Sequence, residues 1–157
     1  MPNWCENKLI ISSGANEFIE SFTSHDENGR RFFDFEKTLP IPEGFISDGR
    51  WFHWCVSNWG TKWNCSASTT SANEEWTEIY FDTAWSPPIE LLRTLSKKCP
   101  SIHFDLYYCE LGGYFAGIAQ FDGMQFSEIV DCDPIAMAIE QFGWDPALFE
   151  EEAEVQI

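Results

Sequence analysis

Lysine and arginine stop at Lys98. Residues 1–98 carry nine bases and fourteen acids, a net of −5; residues 99–157 carry twelve acids and no base, a net of −12, and together they make the chain's −17. A field of this sign repels nucleic acid and anionic membrane and attracts basic surfaces. Direct binding to nucleic acid or to a membrane is therefore not expected, and a basic protein surface is.

Other absences narrow the field further. No apolar run approaches the roughly 20 residues of a membrane span. The opening Met1-Pro2-Asn3-Trp4-Cys5-Glu6 has neither the basic start nor the apolar stretch of a secretion signal, which predicts a cytoplasmic protein. The six cysteines (5, 55, 65, 99, 109 and 132) include no CxxC pair, so reduced, buried thiols are expected rather than disulfides. His53, Cys55 and Cys65 lack the fourth ligand and the spacing of a zinc site. There is no GxGxxG, Walker A loop or GxSxG elbow. No cofactor and no metal are implied.

What is present is aromatic: 14 Phe and 8 Trp in 157 residues, enough to fill the core of one domain spanning 1–157. Asn7–Ser12 reads as a strand with Leu9 and Ile11 on one face. Phe18, Ile19 and Phe22 recur at helical spacing over 15–24. Loops follow around Asn28-Gly29 and Pro40–Gly49, and Trp51 opens a turn or two of helix ended at Gly60. Cys65–Thr70 and Trp76–Thr83 read as strands joined at Asn73-Glu74-Glu75. Ser86-Pro87-Pro88 reads as a capping hydroxyl with proline at the helix start, followed by Leu91, Leu92 and Leu95 on one face. Ile102–Tyr108, Tyr114–Phe121 and Met124–Ile129 form a meander turning at Gly112-Gly113 and Asp122-Gly123. Asp133-Pro134 starts a helix with a stripe of Ile135, Ala138, Ile139 and Phe142, closed by Gly143, and Asp145-Pro146 opens a short acidic one.

This order predicts an α+β fold: a ferredoxin-like split βαβ antiparallel sheet with helices on one face, extended by a β-hairpin and acidic C-terminal helices.

Four stretches carry a family resemblance: Met1-Pro2-Asn3-Trp4-Cys5-Glu6-Asn7, Asn58-Trp59-Gly60-Thr61-Lys62-Trp63-Asn64, Phe81-Asp82-Thr83-Ala84-Trp85-Ser86-Pro87-Pro88 and Tyr107-Tyr108-Cys109-Glu110. Together they resemble the Api92-like (YubB-like) family from Met1 to about Gly123. The resemblance implies a ferredoxin-like domain encoded on phages, plasmids and other mobile elements, and it implies no catalytic role. It divides the chain into a family-like core, 1–123, and an acidic extension, 124–157, packed on it.

Within those motifs Asn3, Trp4, Asn7, Trp59, Gly60, Thr61, Lys62, Trp63, Asn64 and Trp85 read as structural. Trp59, Trp63 and Trp85 are expected to pack an irregular segment against the sheet, with Asn3, Asn7 and Asn64 bonding exposed backbone. A base-stacking platform would want a basic groove, and only Arg50 and Lys62 lie near these rings. Cysteine and histidine residues are present without a local enzyme signature. A carboxylate pair such as Glu110 with Asp82 keeps a small hydrolase open as the alternative.

The acids of the final third are the candidate partner-binding surface: Asp122, Glu128, Asp131, Asp133, Glu140, Asp145, Glu150, Glu151, Glu152 and Glu154. Helix capping and solvation account for them one at a time; neither accounts for the missing bases, since exposed helices usually mix charges of both signs. Closely spaced acids resemble the charge of a nucleic-acid duplex, one charge per roughly 1.7 Å. The expected partner is a basic or nucleic-acid-binding host protein, inhibited by charge mimicry; plain solubility explains the acidity equally well.

Overall fold

Alternating burial along Trp4–Ser13 (β1) sets the centre of the sheet. Cys5, Asn7, Leu9 and Ile11 turn inward, while Glu6, Lys8 and Ile10 turn to the other side, as the two-residue period of a strand requires. The computed structural model describes residues 2–72 and 76–150. The expected turn at Asn73-Glu74-Glu75 and the carboxylates of Glu151, Glu152 and Glu154 lie outside the described residues.

From β1 the chain runs into α1 (Ala15–Phe22), then a two-stranded ribbon, β2 (Thr23–His25) with β3 (Arg31–Phe33). Three short helices follow: α2 (Phe35–Thr38), α3 (Phe45–Asp48) and α4 (Trp51–Asn58). Then come β4 (Ser66–Ala72), β5 (Thr77–Ala84), α5 (Ile89–Lys98), β6 (His103–Glu110), β7 (Phe115–Asp122), β8 (Gln125–Ile129) and α6 (Pro134–Phe142).

The other six strands form one antiparallel sheet in the order β4-β5-β1-β6-β7-β8. Its first four positions, with α1 and α5 as the crossovers, are the split βαβ arrangement of a ferredoxin-like fold. β7 and β8 extend it as a hairpin. Among the described residues no helix is long and apolar enough to cross a membrane.

The first face of the sheet carries the main core. Leu9, Ile11, Ile79, Phe81, Phe104 and Leu106 meet Phe18 of α1 and Leu91, Leu92 and Leu95 of α5. A file of rings crosses it: Phe18 to Phe33 at 5.0 Å, Phe33 to Phe35 at 5.0 Å, and Phe35 to Trp59 at 5.7 Å. Trp59 is buried, and its indole N–H donates to the Leu39 carbonyl at 2.9 Å, so the ring packs without stranding its polar atom.

Three local expectations need correction. Ser86 does not cap α5. That helix begins at Ile89 without a side-chain cap, and the Ser86 hydroxyl donates to the Gly60 carbonyl at 2.6 Å. The cause is the 58–64 loop pressed onto the helix start. Gly60 has φ +83, and a Cβ there would sit 3.2–3.3 Å from Pro87 O, Ile89 N and Glu90 N, so glycine alone fits. Trp85 does not pack inward with Trp59. It is 49% exposed, its backbone is left-handed at φ 71, and its N–H donates to the Asn3 carbonyl at 2.8 Å. The buried stripe of α6 is Pro134, Met137 and Ala138, rotated from the expected one, with Ile135, Ile139 and Phe142 half-buried. Ala138 clusters with Ala116 and Cys109, small side chains that let the helix approach the strands closely.

Helix α6 lies on the second face, opposite α1 and α5, against β6, β1 and β7. Its ends follow the sequence signals. Asp133 Oδ1 accepts from the N–H groups of Ile135 and Ala136 at 2.9 and 3.2 Å, and Gly143 closes it at φ 71. A helical turn follows over 147–150, where Asp145 Oδ1 accepts from Ala147 N at 3.0 Å.

Candidate functional site

Glu6 of β1 stands opposite Asp82 of β5 on one side and Cys109 of β6 on the other. The pleat sends Glu6 and Asp82 to the second face together. Beside them β6 ends at Glu110, which is 3% exposed and whose Oε2 accepts from Gly113 N at 2.7 Å. A Cβ on Gly112 would meet Asn3 Nδ2 at 2.6 Å and Glu110 Oε1 at 2.9 Å, so the glycine leaves room for both side chains. Trp4 and Trp144 wall the remainder. The Trp144 indole N–H donates to Glu6 Oε2 at 2.8 Å, tying the chain after α6 to the sheet. The result is a cleft of about 340 Å³ lined by Asn3, Trp4, Glu6, Asp82, Glu110, Leu111, Gly112 and Trp144.

Like charges directly opposite on neighbouring strands are destabilising. Burial pushes the Glu6 carboxyl above its ordinary range, the Trp144 N–H pulls it back, and the charge of Asp82 adds to the rise. Burial also raises Asp82. Among the described residues no Lys or Arg lines the cleft. Lys8, the next residue on this side of β1, turns instead to Gln141 Oε1 at 3.3 Å, to Glu78 at 4.0 Å and to the Tyr80 ring.

Most of the chain's bases lie away from the cleft, but Arg93 and Lys97 of α5 line a groove with Met124, Gln125 and Phe126 at the start of β8, so the acidic final third is not free of neighbouring bases. Lys8 alone among the nine projects from the sheet to the second face. Arg31, Lys37, Arg93, Lys97 and Lys98 belong to β3, α2 and α5, and Arg30, Arg50 and Lys62 to adjoining loops.

Of the candidate partner-binding acids, Asp122, Glu128, Asp131, Asp133, Glu140, Asp145 and Glu150 are described, and all are exposed. The fold gathers Asp122, Glu128, Asp131 and Asp133 along and beside β8, the edge strand. It does not place them on one plane. Asp122 ends β7 on the second face, 3.2 Å from His103 Nε2. Glu128 points to the first face, where the Tyr108 hydroxyl donates to it at 2.7 Å. Glu140 is on the outer side of α6, and Asp145 and Glu150 follow beyond Trp144.

Four of the six cysteines are held as thiols. Burial drives Cys5 far above its ordinary value, pushes Cys65 and Cys109 up to about 12 and Cys55 to about 11, each with help from neighbouring carboxylates. His53 is exposed while Cys55 is buried beneath the same helix.

Several motif residues hold the backbone. Asn7 is buried, and its amide donates to Cys5 O, Phe81 O and Thr83 Oγ1 at 3.0, 3.3 and 2.9 Å. Asn64 Oδ1 accepts from Phe35 N and Cys65 N, and Thr61 donates to Ala84 O. The Lys62 ammonium lies 4.6 Å from the Trp63 ring centre, and Trp63 lies 6.4 Å from Trp4.

The ferredoxin-like domain described for Api92-like proteins matches residues 58–153, more than half of the chain. The chain belongs to the Api92-like family. No curated protein and no solved structure matches it. The matched span runs past Gly123 and takes in β8, α6 and Trp144, so the Api92-like domain here includes one wall of the cleft.

Three of the four motifs meet at that cleft: Asn3, Trp4 and Glu6 from the first, Asp82 from the third and Glu110 from the last. Sequence reasoning paired Asp82 with Glu110 as carboxylates and placed Asn3 and Trp4 among structural residues. It missed Glu6 and Trp144. The alternation of β1 marks Glu6 as a residue of the polar face; nothing local to Trp144 announces where its indole goes.

Proposed function

We propose that this Api92-like protein is a non-enzymatic, acidic binding protein that docks a cationic protein surface through the β8 edge. The observation that carries the reading is the edge itself. All five residues of β8 are exposed, and Asp122, Glu128, Asp131 and Asp133 flank it, while Arg93 of α5 covers the Phe126 ring at 4.8 Å near the turn that opens the strand. An uncovered edge strand is a template for pairing with another chain, and these acids select a basic one and steer its approach. Met124, Ile129 and Val130, 74%, 57% and 64% exposed, supply apolar surface beside the charge.

The sharper form of the proposal is that the partner itself binds nucleic acid. The protein, acting in the cytoplasm for a mobile element, inhibits a host defence complex by offering carboxylates where phosphates would lie.

The test is capture of host proteins at low and high salt, with wild type beside a Glu128→Lys/Asp131→Lys variant. A nucleic-acid-binding protein is expected to be retained at low salt. It should be released at high salt, displaced by duplex DNA and absent from the variant's capture, with β8 amides protected from hydrogen exchange in the wild-type complex. Capture indifferent to salt, DNA and charge reversal overturns the proposal.

A further inference from the structure

We propose that the cleft at Glu6, Asp82 and Glu110 binds a guanidinium group between the indoles of Trp4 and Trp144. The inference does not depend on docking at β8.

The first argument is unmet hydrogen-bonding capacity. Glu110 is 3% exposed, yet among the described residues only its Oε2 has a hydrogen-bond partner, the Gly113 N–H. Its Oε1 lies beside Gly112 at the cleft wall with no donor. That oxygen is open to the cleft and can accept from a ligand donor. Trp144 engages Glu6 through Oε2 alone, which leaves Oε1 of Glu6 free as well. Among the described residues none donates a hydrogen bond to the Asp82 carboxylate, which is half-buried.

The second argument is the kind of cation. Among the described residues no three Asp, Glu, His or Cys side chains are grouped closely enough to hold a metal ion. A cation with several donors spread over its own atoms does not need its carboxylates so close. Guanidinium fits on three counts: it is planar, it stacks on aromatic faces, and its fork of N–H groups matches carboxylate oxygens. Indole is the strongest aromatic partner for a cation. An ammonium is a compact, strongly hydrated point charge and uses such walls less well. A volume of about 340 Å³ accommodates the group with its alkyl stem.

The group has two chemical sources, a free small guanidine or an arginine side chain of a protein, and two probes separate them: N-ethylguanidinium and a capped Gly-Arg-Gly peptide. Each is titrated against the full chain, following tryptophan fluorescence and amide shifts around Glu6, Asp82 and Gly113. Saturable binding of at least one probe is expected. Binding of N-ethylguanidinium alone assigns a free guanidine, and binding of the peptide alone assigns an arginine side chain. Asp82→Asn and Glu110→Gln should each weaken binding by about tenfold or more, and Trp144→Phe should weaken it too. Asp82→Asn keeps the test decisive if Glu110→Gln, at a buried position, fails to fold. The Glu128→Lys/Asp131→Lys variant should bind the probe as wild type does, which separates this site from the β8 edge. No saturable response to either probe, equal affinity for n-butylammonium, or unchanged binding in Asp82→Asn overturns the proposal.

Discussion

Glu6 and Asp82 are directly paired across the β1–β5 ladder, two half-buried carboxylates on one face with no base between them. Both titrate above the ordinary range, chiefly because they are buried. The native state therefore holds these protons more readily than the unfolded chain does. Stability falls as pH rises from the ordinary carboxylate values through the raised ones, and the loss is complete above them.

Glu6→Gln or Asp82→Asn should accordingly raise the melting temperature at pH 7.5. The advantage should fade as pH drops toward about 4, where wild type is itself protonated. Glutamine keeps an oxygen for the Trp144 N–H, so packing is retained. Thermal unfolding across this range checks both sign and trend; an unchanged or lower melting temperature at pH 7.5 would show that the pair is not strained.

Trp59 and Trp85 should differ sharply in their response to truncation. Trp59→Ala removes a buried ring from the Phe35 file and strands the Leu39 carbonyl, costing about 3–5 kcal/mol. Trp85 is half exposed, and Trp85→Ala should stay within about 0.5 kcal/mol of wild type. Urea denaturation of the two variants distinguishes them.

Asp133→Ala should cost about 1 kcal/mol, the usual loss for an N-cap, because Ile135 and Ala136 N–H then lack their acceptor. Since α6 leads into Trp144, the variant should also loosen the indole's hold on Glu6. Denaturant titration reads the first effect, and the Trp144 indole N–H resonance reads the second.

Alkylation by iodoacetamide at pH 8, followed by mass spectrometry, should modify Cys99 and Cys132 first. Both are partly exposed, whereas Cys5, Cys55 and Cys109 are buried. Cys65 is partly exposed, but burial and Asp34 push its thiol up to about 12, so it should lag behind Cys99 and Cys132. Fast modification of Cys109 would mean that the second face opens in solution, and fast modification of Cys5 that the main core on the first face does.

The strands were readable because each carries its own alternation: Leu9 and Ile11 against Ile10, or Phe104, Leu106 and Tyr108 against Asp105 and Tyr107. Helix α6 announced itself through Asp133-Pro134 at one end and Gly143 at the other, signals that act within a turn. The stop of positive charge at Lys98 is likewise a property of composition, and it holds whatever the fold.

Ser86 shows where such signals fail. Its place before two prolines marks a cap, but the Gly60 carbonyl, brought in by a loop from elsewhere in the chain, takes the hydroxyl instead. The cleft is the larger case. Glu6, Asp82, Glu110 and Trp144 come from four separate segments, and they meet because β1 pairs with β5 on one edge and β6 on the other while α6 crosses to the second face. Strand partners and the side a helix covers are chosen by the summed packing of the whole sheet. Periodicity and capping act over a few residues and carry no record of that choice.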